Sequence, residues 1–287
     1  MYLHWSWFIL SWYSIQARVG QYDSHVWPVL EYLALFLTVL LHEFGHSLAC
    51  RQVGGQADQI VLWPFGGVAY VAPPPRPGAT LWSIAAGPLV NVVLLPLFLA
   101  LTMLAREQGW GTSHPDAYQF LGSMAWLNSR LLMFNLLPIY PLDGGQILRS
   151  LLWFPLGRAR SLLAASVIGF AGVLALFAWA FFQRSPWLGA ITVFVLMNCW
   201  QGFVHARALM RIEKAPRRPG YACPACGAPP IAAAIWRCQG CGTPSDVFLS
   251  NGVCPNCQRV ADAATCTDCG SASPLSLWRK LPPPPPV

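Results

Sequence analysis

The stretch Leu40-Leu41-His42-Glu43-Phe44-Gly45-His46-Ser47-Leu48 decides how the rest of this chain is read. It lies in an apolar run, residues 29–50, long enough to predict a helix. On a helix His42 and His46 share one face, about 6 Å apart along the axis. Two imidazoles so placed can hold one Zn2+ through ring nitrogens, and Glu43 beside them can take a proton from metal-bound water. Two histidines hydrogen-bonded in a core would give the same letters. Inside an apolar helix, however, each unpaired polar group costs on the order of several kcal/mol, which favours the metal.

Two histidines do not complete a site, because catalytic zinc usually has three protein ligands and one open position. Asp143 is the remaining candidate. It stands in Phe134-Asn135-Leu136-Leu137-Pro138-Ile139-Tyr140-Pro141-Leu142-Asp143-Gly144-Gly145-Gln146 and is the only acid between Asp116 and Glu213. Two prolines and two glycines there release the backbone from regular helix. An Asp at this place can also cap the helix that follows.

Working outward, the chain stays apolar. Hydrophobic residues make up 55% of the 287 and charged residues 10%, and mean hydropathy is +0.45. Soluble domains carry about 25% charge, so the composition excludes a disordered chain and argues against an ordinary soluble enzyme. Charge-free runs at residues 77–105, 161–183 and 185–204 are each long enough to cross a bilayer. Residues 29–50 form a further span with polar cargo. Residues 117–142 form one with an irregular end, and residues 3–15 are either a short first span or an interfacial helix. The expected fold class is therefore an all-α polytopic membrane protein of about six transmembrane helices. With the N-terminus inside, ten Arg and Lys residues from Arg51 to Arg218 fall on the inner side, against Arg18, Arg106 and Arg184 outside. That is the asymmetry of the positive-inside rule. It places both termini in the cytoplasm of a multi-pass cell-membrane protein. The start of the chain has neither a basic n-region nor an A-x-A-like cleavage site. The net charge of +7 belongs to these loops before it belongs to any nucleic acid.

The two motifs together resemble the site-2 protease family of intramembrane zinc metalloproteases. The resemblance is carried by HEFGH on an apolar helix and, about a hundred residues later, by N-x-x-P-x-x-P-L-D-G-G. It covers roughly residues 1–210 and includes Gly87-Pro88-Leu89-Val90-Asn91, similar to the G-P-x-x-N of a central helix. It implies His42, His46 and Asp143 as ligands of a catalytic zinc and Glu43 as the catalytic base, with Asn91 and Asn135 near the substrate path. The substrate it implies is the transmembrane helix of another membrane protein. Ile60-Val-Leu-Trp63 and Val68-Ala-Tyr-Val71 read as a hairpin around Pro64-Phe-Gly-Gly67. Such an edge could hold an unwound substrate by strand addition. No segment of PDZ size separates the two motifs.

Cysteine usage divides the chain. Cys50 and Cys199 are isolated in apolar surroundings and read as small core residues. The other eight form Cys223/Cys226, Cys238/Cys241, Cys254/Cys257 and Cys266/Cys269. Four C-x-x-C pairs in a reducing compartment predict two structural zinc sites of four cysteines each. Neighbouring pairs could share a metal, or the inner two could pair and leave the outer two together. The expected organisation is an intramembrane metalloprotease at 1–214, a linker at 215–220, a double zinc ribbon at 221–275 and a proline-rich tail at 276–287. Residues 221–276 carry net charge −1 and lack the basic stripe of a nucleic-acid binder. A cytoplasmic protein partner suits them better, with Trp236, Phe248 and Trp278 as candidate exposed contacts, one or two of which would instead only pack on the ribbons.

The reading is thus a zinc metalloendopeptidase acting within the bilayer, with one catalytic and two structural zinc ions. The rival is a non-catalytic protein that grips a membrane helix and recruits partners through its ribbons.

Overall fold

The computed structural model describes residues 2–3, 6–63 and 66–278, in two compact units, Met1–Ala206 and Arg207–Val287. In the first unit the order is β1 (Tyr2–Leu3), α1 (Ser6–Arg18), α2 (Val26–Gln52), β2 (Gln56–Trp63), β3 (Gly66–Ala72), α3 (Pro77–Glu107) and α4 (Trp110–Ser113). Then come α5 (Pro115–Asn135), α6 (Asp143–Leu156), α7 (Arg158–Phe182) and α8 (Pro186–Lys214).

Four of these helices, α2, α3, α7 and α8, are long and apolar enough to cross a membrane. The expectation of six spans meets two shorter or more polar elements. At 13 residues, α1 reaches about 20 Å, short of a hydrocarbon core of about 30 Å. Helix α5 has the length but carries Asp116, Gln119, Asn128, Arg130 and Asn135. It also stops at Asn135, so residues 136–142 form the irregular end that two prolines require.

The expected hairpin is present as β2 and β3, antiparallel, with Ile60 opposite Ala69 and Val61 opposite Val68. Pro64 and Phe65 of its turn lie outside the described residues. A third strand joins it that the sequence does not signal: β1 pairs parallel with β2, so the sheet order is β1-β2-β3 and, among the described residues, no further strand pairs with the outer edge of β3. The sheet packs beside the motif helix through Ile60 and Val39, with Tyr32, Phe36 and Leu40 around them. Arg51 of α2 also donates to the Ala57 carbonyl at 2.7 Å.

Polar ties hold the helix ends. Tyr22 donates to the buried Glu31, which also pairs with Arg18 at 3.0 Å and so fastens α1 to α2. The Asp116 carboxylate accepts from the Asp23 and Ser24 amides, joining α5 to the same turn. Cys50 and Cys199 are fully buried.

The second unit holds β4 (Trp236–Arg237), β5 (Pro244–Ser245), β6 (Ala263–Thr265) and β7 (Ala272–Pro274), paired as two small hairpins. Its core is Val247, Phe248, Ala264 and Trp278 with Cys223 and Cys266. Phe248 is the hub, with Tyr221, Trp236 and Trp278 set edge-on around it at 5.1–5.2 Å. Of the three candidate aromatic contacts, two pack inside the unit. Phe248 and Trp278 are 5% and 1% exposed, because so small a unit needs its large rings inside. Trp278 belongs to this core, beyond the ribbon boundary expected at residue 275. Its carbonyl accepts from the Ala222 amide, closing the unit.

Residues 215–220, a linker by composition, are likewise tied in. Arg217 forms a forked pair with Asp268 at 2.7 and 3.1 Å and holds that carboxyl below the usual carboxylate range. Arg218 pairs with Asp246. The proline tail, residues 282–286, lies outside the described residues.

Candidate metal centre

The centre is built by α2, α3, α5 and the start of α6. His42 and His46 lie one turn apart on the buried face of α2. Their rings stand edge to face, with the two Nε2 atoms 3.1 Å apart. Asp143 begins α6, with Oδ2 at 3.0 Å from His42 Nε2 and Oδ1 at 3.4 Å from His46 Nε2. Leu142, not Asp143, stands at the N-cap of that helix.

Hydrogen bonds on the far side of each ring set the protonation. The Ser83 carbonyl can only accept, so His46 Nδ1–H donates to it at 2.9 Å. For His42 the chain of inference starts at another backbone carbonyl. Asn128 Nδ2 donates to the Asn91 carbonyl at 2.9 Å, which turns Asn128 Oδ1 towards Asn91 Nδ2 at 2.7 Å. Asn91 Oδ1 therefore faces His42 Nδ1 at 2.6 Å and accepts its proton. In the neutral rings, the state that binds metal, both Nε2 atoms are then lone pairs beside a carboxylate. Three acceptors converge with no proton shared among them, an arrangement that a cation satisfies. The separations fit one: tetrahedral Zn2+ with bonds of about 2.0–2.1 Å sets neighbouring ligand atoms about 3.3 Å apart.

The neighbouring backbone is shaped to let these side chains meet. A Cβ on Gly87 of α3 would lie 2.3 Å from His46 Nε2 and 2.8 Å from His42 Nε2. A Cβ on Gly45 would strike the Ala86 carbonyl oxygen at 2.7 Å, so the two helices cross closely at the motif. Pro88 has no amide to offer the Ile84 carbonyl, which neighbours Ser83, whose own carbonyl serves His46. At Asp143 the two following glycines admit the loop. Side chains there would meet the Leu136 carbonyl oxygen at 2.3 Å and the Ile139 carbonyl carbon at 2.4 Å. Ile139 anchors that loop among Val173, Leu176, Val195 and Cys199, and Gln146 holds the Pro141 carbonyl at 2.9 Å.

Glu43 is buried next to His42 and within electrostatic range of His46. Thus the structure brings His42, Glu43, His46, Asp143 and Asn91 together. Asn135, at the end of α5, makes none of the hydrogen bonds that bind this cluster. Asn128 takes that place, fully buried, and sequence reasoning misses it. Its signal is faint: one amide among apolar neighbours, 37 residues from its partner.

The cysteines form two further cages. Cys223, Cys226, Cys266 and Cys269 gather at one, and Cys238, Cys241, Cys254 and Cys257 at the other. The inner pairs thus share a site and the outer pairs close around them. Sulfur separations of 3.5–3.8 Å are far beyond a disulfide of about 2.05 Å. They match the edges of a Zn–S tetrahedron with bonds of about 2.3 Å, about 3.8 Å. Each knuckle repeats one backbone turn, in which the residue after the second Cys donates to the first Cys carbonyl at 2.8–3.0 Å. That residue has positive φ, and it is Gly227, Gly242 and Gly270 in three knuckles but Gln258 (φ 59°) in the fourth.

Comparison with known proteins agrees with this geometry. The family model described as Peptidase family M50 matches residues 31–114 and 107–179. A zinc metalloprotease of Methanocaldococcus jannaschii is 32% identical over 62% of this chain and 50% of its own length. Stage IV sporulation protein FB of Bacillus subtilis is 30% identical over 68% of this chain and 67% of its own. The solved site-2 protease from Methanocaldococcus jannaschii is 30% identical with a TM-score of 0.50, over 70% of this chain and 89% of that one. The chain spans only half the length, or less, of the first curated relatives it matches.

Proposed function

This chain belongs to peptidase family M50, the site-2 protease family, and from that premise we propose that it is a zinc metalloprotease cutting a membrane protein within or near a transmembrane segment. The observation that carries this reading is the meeting of two imidazole lone pairs and a carboxylate at 3.0–3.4 Å beside Glu43, on a helix apolar enough to span a bilayer.

His42, His46 and Asp143 would hold the zinc, and the three-acceptor geometry fits it. Zinc bound there would polarise the scissile carbonyl and lower the pKa of a water. Glu43 takes a proton from the attacking water and returns it to the leaving amine nitrogen, the two transfers of peptide hydrolysis. Asn91 fixes the His42 tautomer so that Nε2 stays a lone pair, and Asn128 fixes Asn91. The outer edge of β3 beside α2 suits a substrate strand, since a helical peptide bond is shielded until it is extended.

In this reading α1 and α5 complete six crossings, supported by the asymmetry of basic residues, and both termini face the cytoplasm. The two cysteine cages hold structural zinc, which supplies folding energy to a unit with a small core.

The test is a reporter with a single transmembrane helix, reconstituted with the purified chain. Cleavage within the helix, lost on chelation and restored by zinc, is expected. A reporter left intact under all three conditions counts against the reading. The relay through Asn128 has its own signature. Asn128→Ala is expected to weaken zinc affinity at the membrane site by about 10- to 100-fold, measured by chelator competition. Unchanged affinity would show that the His42 orientation does not depend on it.

A further inference from the structure

At one membrane end of α7 the chain collects positive charge with no carboxylate to balance it. Arg149, Arg158 and Arg160 stand at this end with His205 of α8, and residues 144–212 contain neither Asp nor Glu. Arg149 on α6 and Arg158 at the start of α7 flank a single indole, their guanidinium carbons 5.8 and 5.9 Å from the centroid of Trp153. The two arginines lie within electrostatic range of each other, and His205 on α8 within range of both. The Tyr140 phenol also neighbours Arg149.

Two features of this cluster are unfavourable as it stands. The Nε–H groups of Arg149 and Arg158 are buried and have no hydrogen-bond partner among the described residues. A buried cationic donor without an acceptor is costly, and an unmet group of this kind in a native fold calls for a ligand or water. Second, Arg158 and Arg160 occupy the first turn of α7, which holds no acid, where the helix dipole favours anions. Both features are relieved by the same thing, an anion with several acceptor oxygens.

The place in the fold says which anion. Helices α7 and α8 are consecutive spans, so the start of α7 and the end of α8 lie at one face of the membrane. The anionic group concentrated at that depth is the phosphate of a phospholipid. Guanidinium groups match phosphate oxygens in pairs, and an indole is at home at headgroup level. The trimethylammonium of a choline headgroup brings an extra positive charge to the same cluster, so a lipid of net negative charge is favoured. We propose that Arg149, Arg158 and Trp153 form a binding site for the phosphate of an anionic phospholipid. The site shares no residue with the metal centre and does not depend on the protease reading.

The test uses the full chain in a neutral detergent and follows its thermal midpoint. Phosphatidylglycerol is added to one sample, phosphatidylcholine to a second and inorganic phosphate at matched ionic strength to a third. Phosphatidylglycerol alone is expected to raise the midpoint, by about 5 °C near saturation. The Arg149→Gln/Arg158→Gln pair is expected to lose the rise, and Arg149→Lys/Arg158→Lys to keep part of it. The lysine pair also serves if the glutamine pair does not fold. Equal shifts with both lipids, or a phosphatidylglycerol shift that survives the glutamine pair, would overturn the site. A shift with inorganic phosphate alone would overturn the lipid as its source.

Discussion

Glu43→Gln is expected to leave three zinc ions in the protein and to cut reporter cleavage by at least about 10³-fold, within the range that general acid–base groups contribute. The reasoning is geometric. Gln keeps the volume and the polar carbonyl of Glu in a buried place next to His42, so the fold and the three acceptor atoms are preserved. What Gln cannot do is accept a proton from water and hand it on. Reporter binding, measured by crosslinking in the same membranes, is expected to persist. If cleavage continues at the wild-type rate, Glu43 is not the base and the hydrolytic mechanism proposed for this chain is wrong. If neither variant nor wild type cleaves while both bind the reporter helix, the binding-protein alternative takes over.

Gly87→Ala is the second large effect, and its sign is informative. In an exposed helix interior, Ala is more favourable than Gly by about 1 kcal/mol. Here the new Cβ would sit 2.3 Å from His46 Nε2 and 2.4 Å from its Cε1, where nothing can stay. His46 cannot simply swing aside, because its other nitrogen is bound to the Ser83 carbonyl and its ring is enclosed. The expected result is loss of zinc from the membrane site and of cleavage, with both ribbon zincs retained. Full zinc occupancy and full activity in Gly87→Ala would mean that the metal lies elsewhere.

Parts of this architecture are legible because they rest on local spacing. The H-E-x-x-H helix follows from a period of about four in an apolar run, and Asp143 from being the only acid available in its region. The hairpin at residues 60–71 follows from two β-rich runs around a turn. Other parts rest on contacts between distant residues that spacing does not encode. Asn128 meets Asn91 across two helices. The two-residue strand β1 acquires its meaning only from β2. The four knuckles are chemically alike, so their nested pairing is decided by the chain path between them. Arg217 and Arg218 look like linker residues until Asp268 and Asp246 arrive from later in the chain. Which of the three aromatics pack inside is likewise not encoded in spacing: Phe248 and Trp278 do, since a small unit draws its large rings inward.

The measurement that bears most directly on the metal centre is zinc per chain in detergent-purified protein, wild type beside His46→Ala. Three zinc ions falling to two are expected: one lost from the His42, His46 and Asp143 centre, two kept by the cysteine cages. Two zinc ions in both proteins would contradict a metal at the membrane motif, and with it the proposed protease.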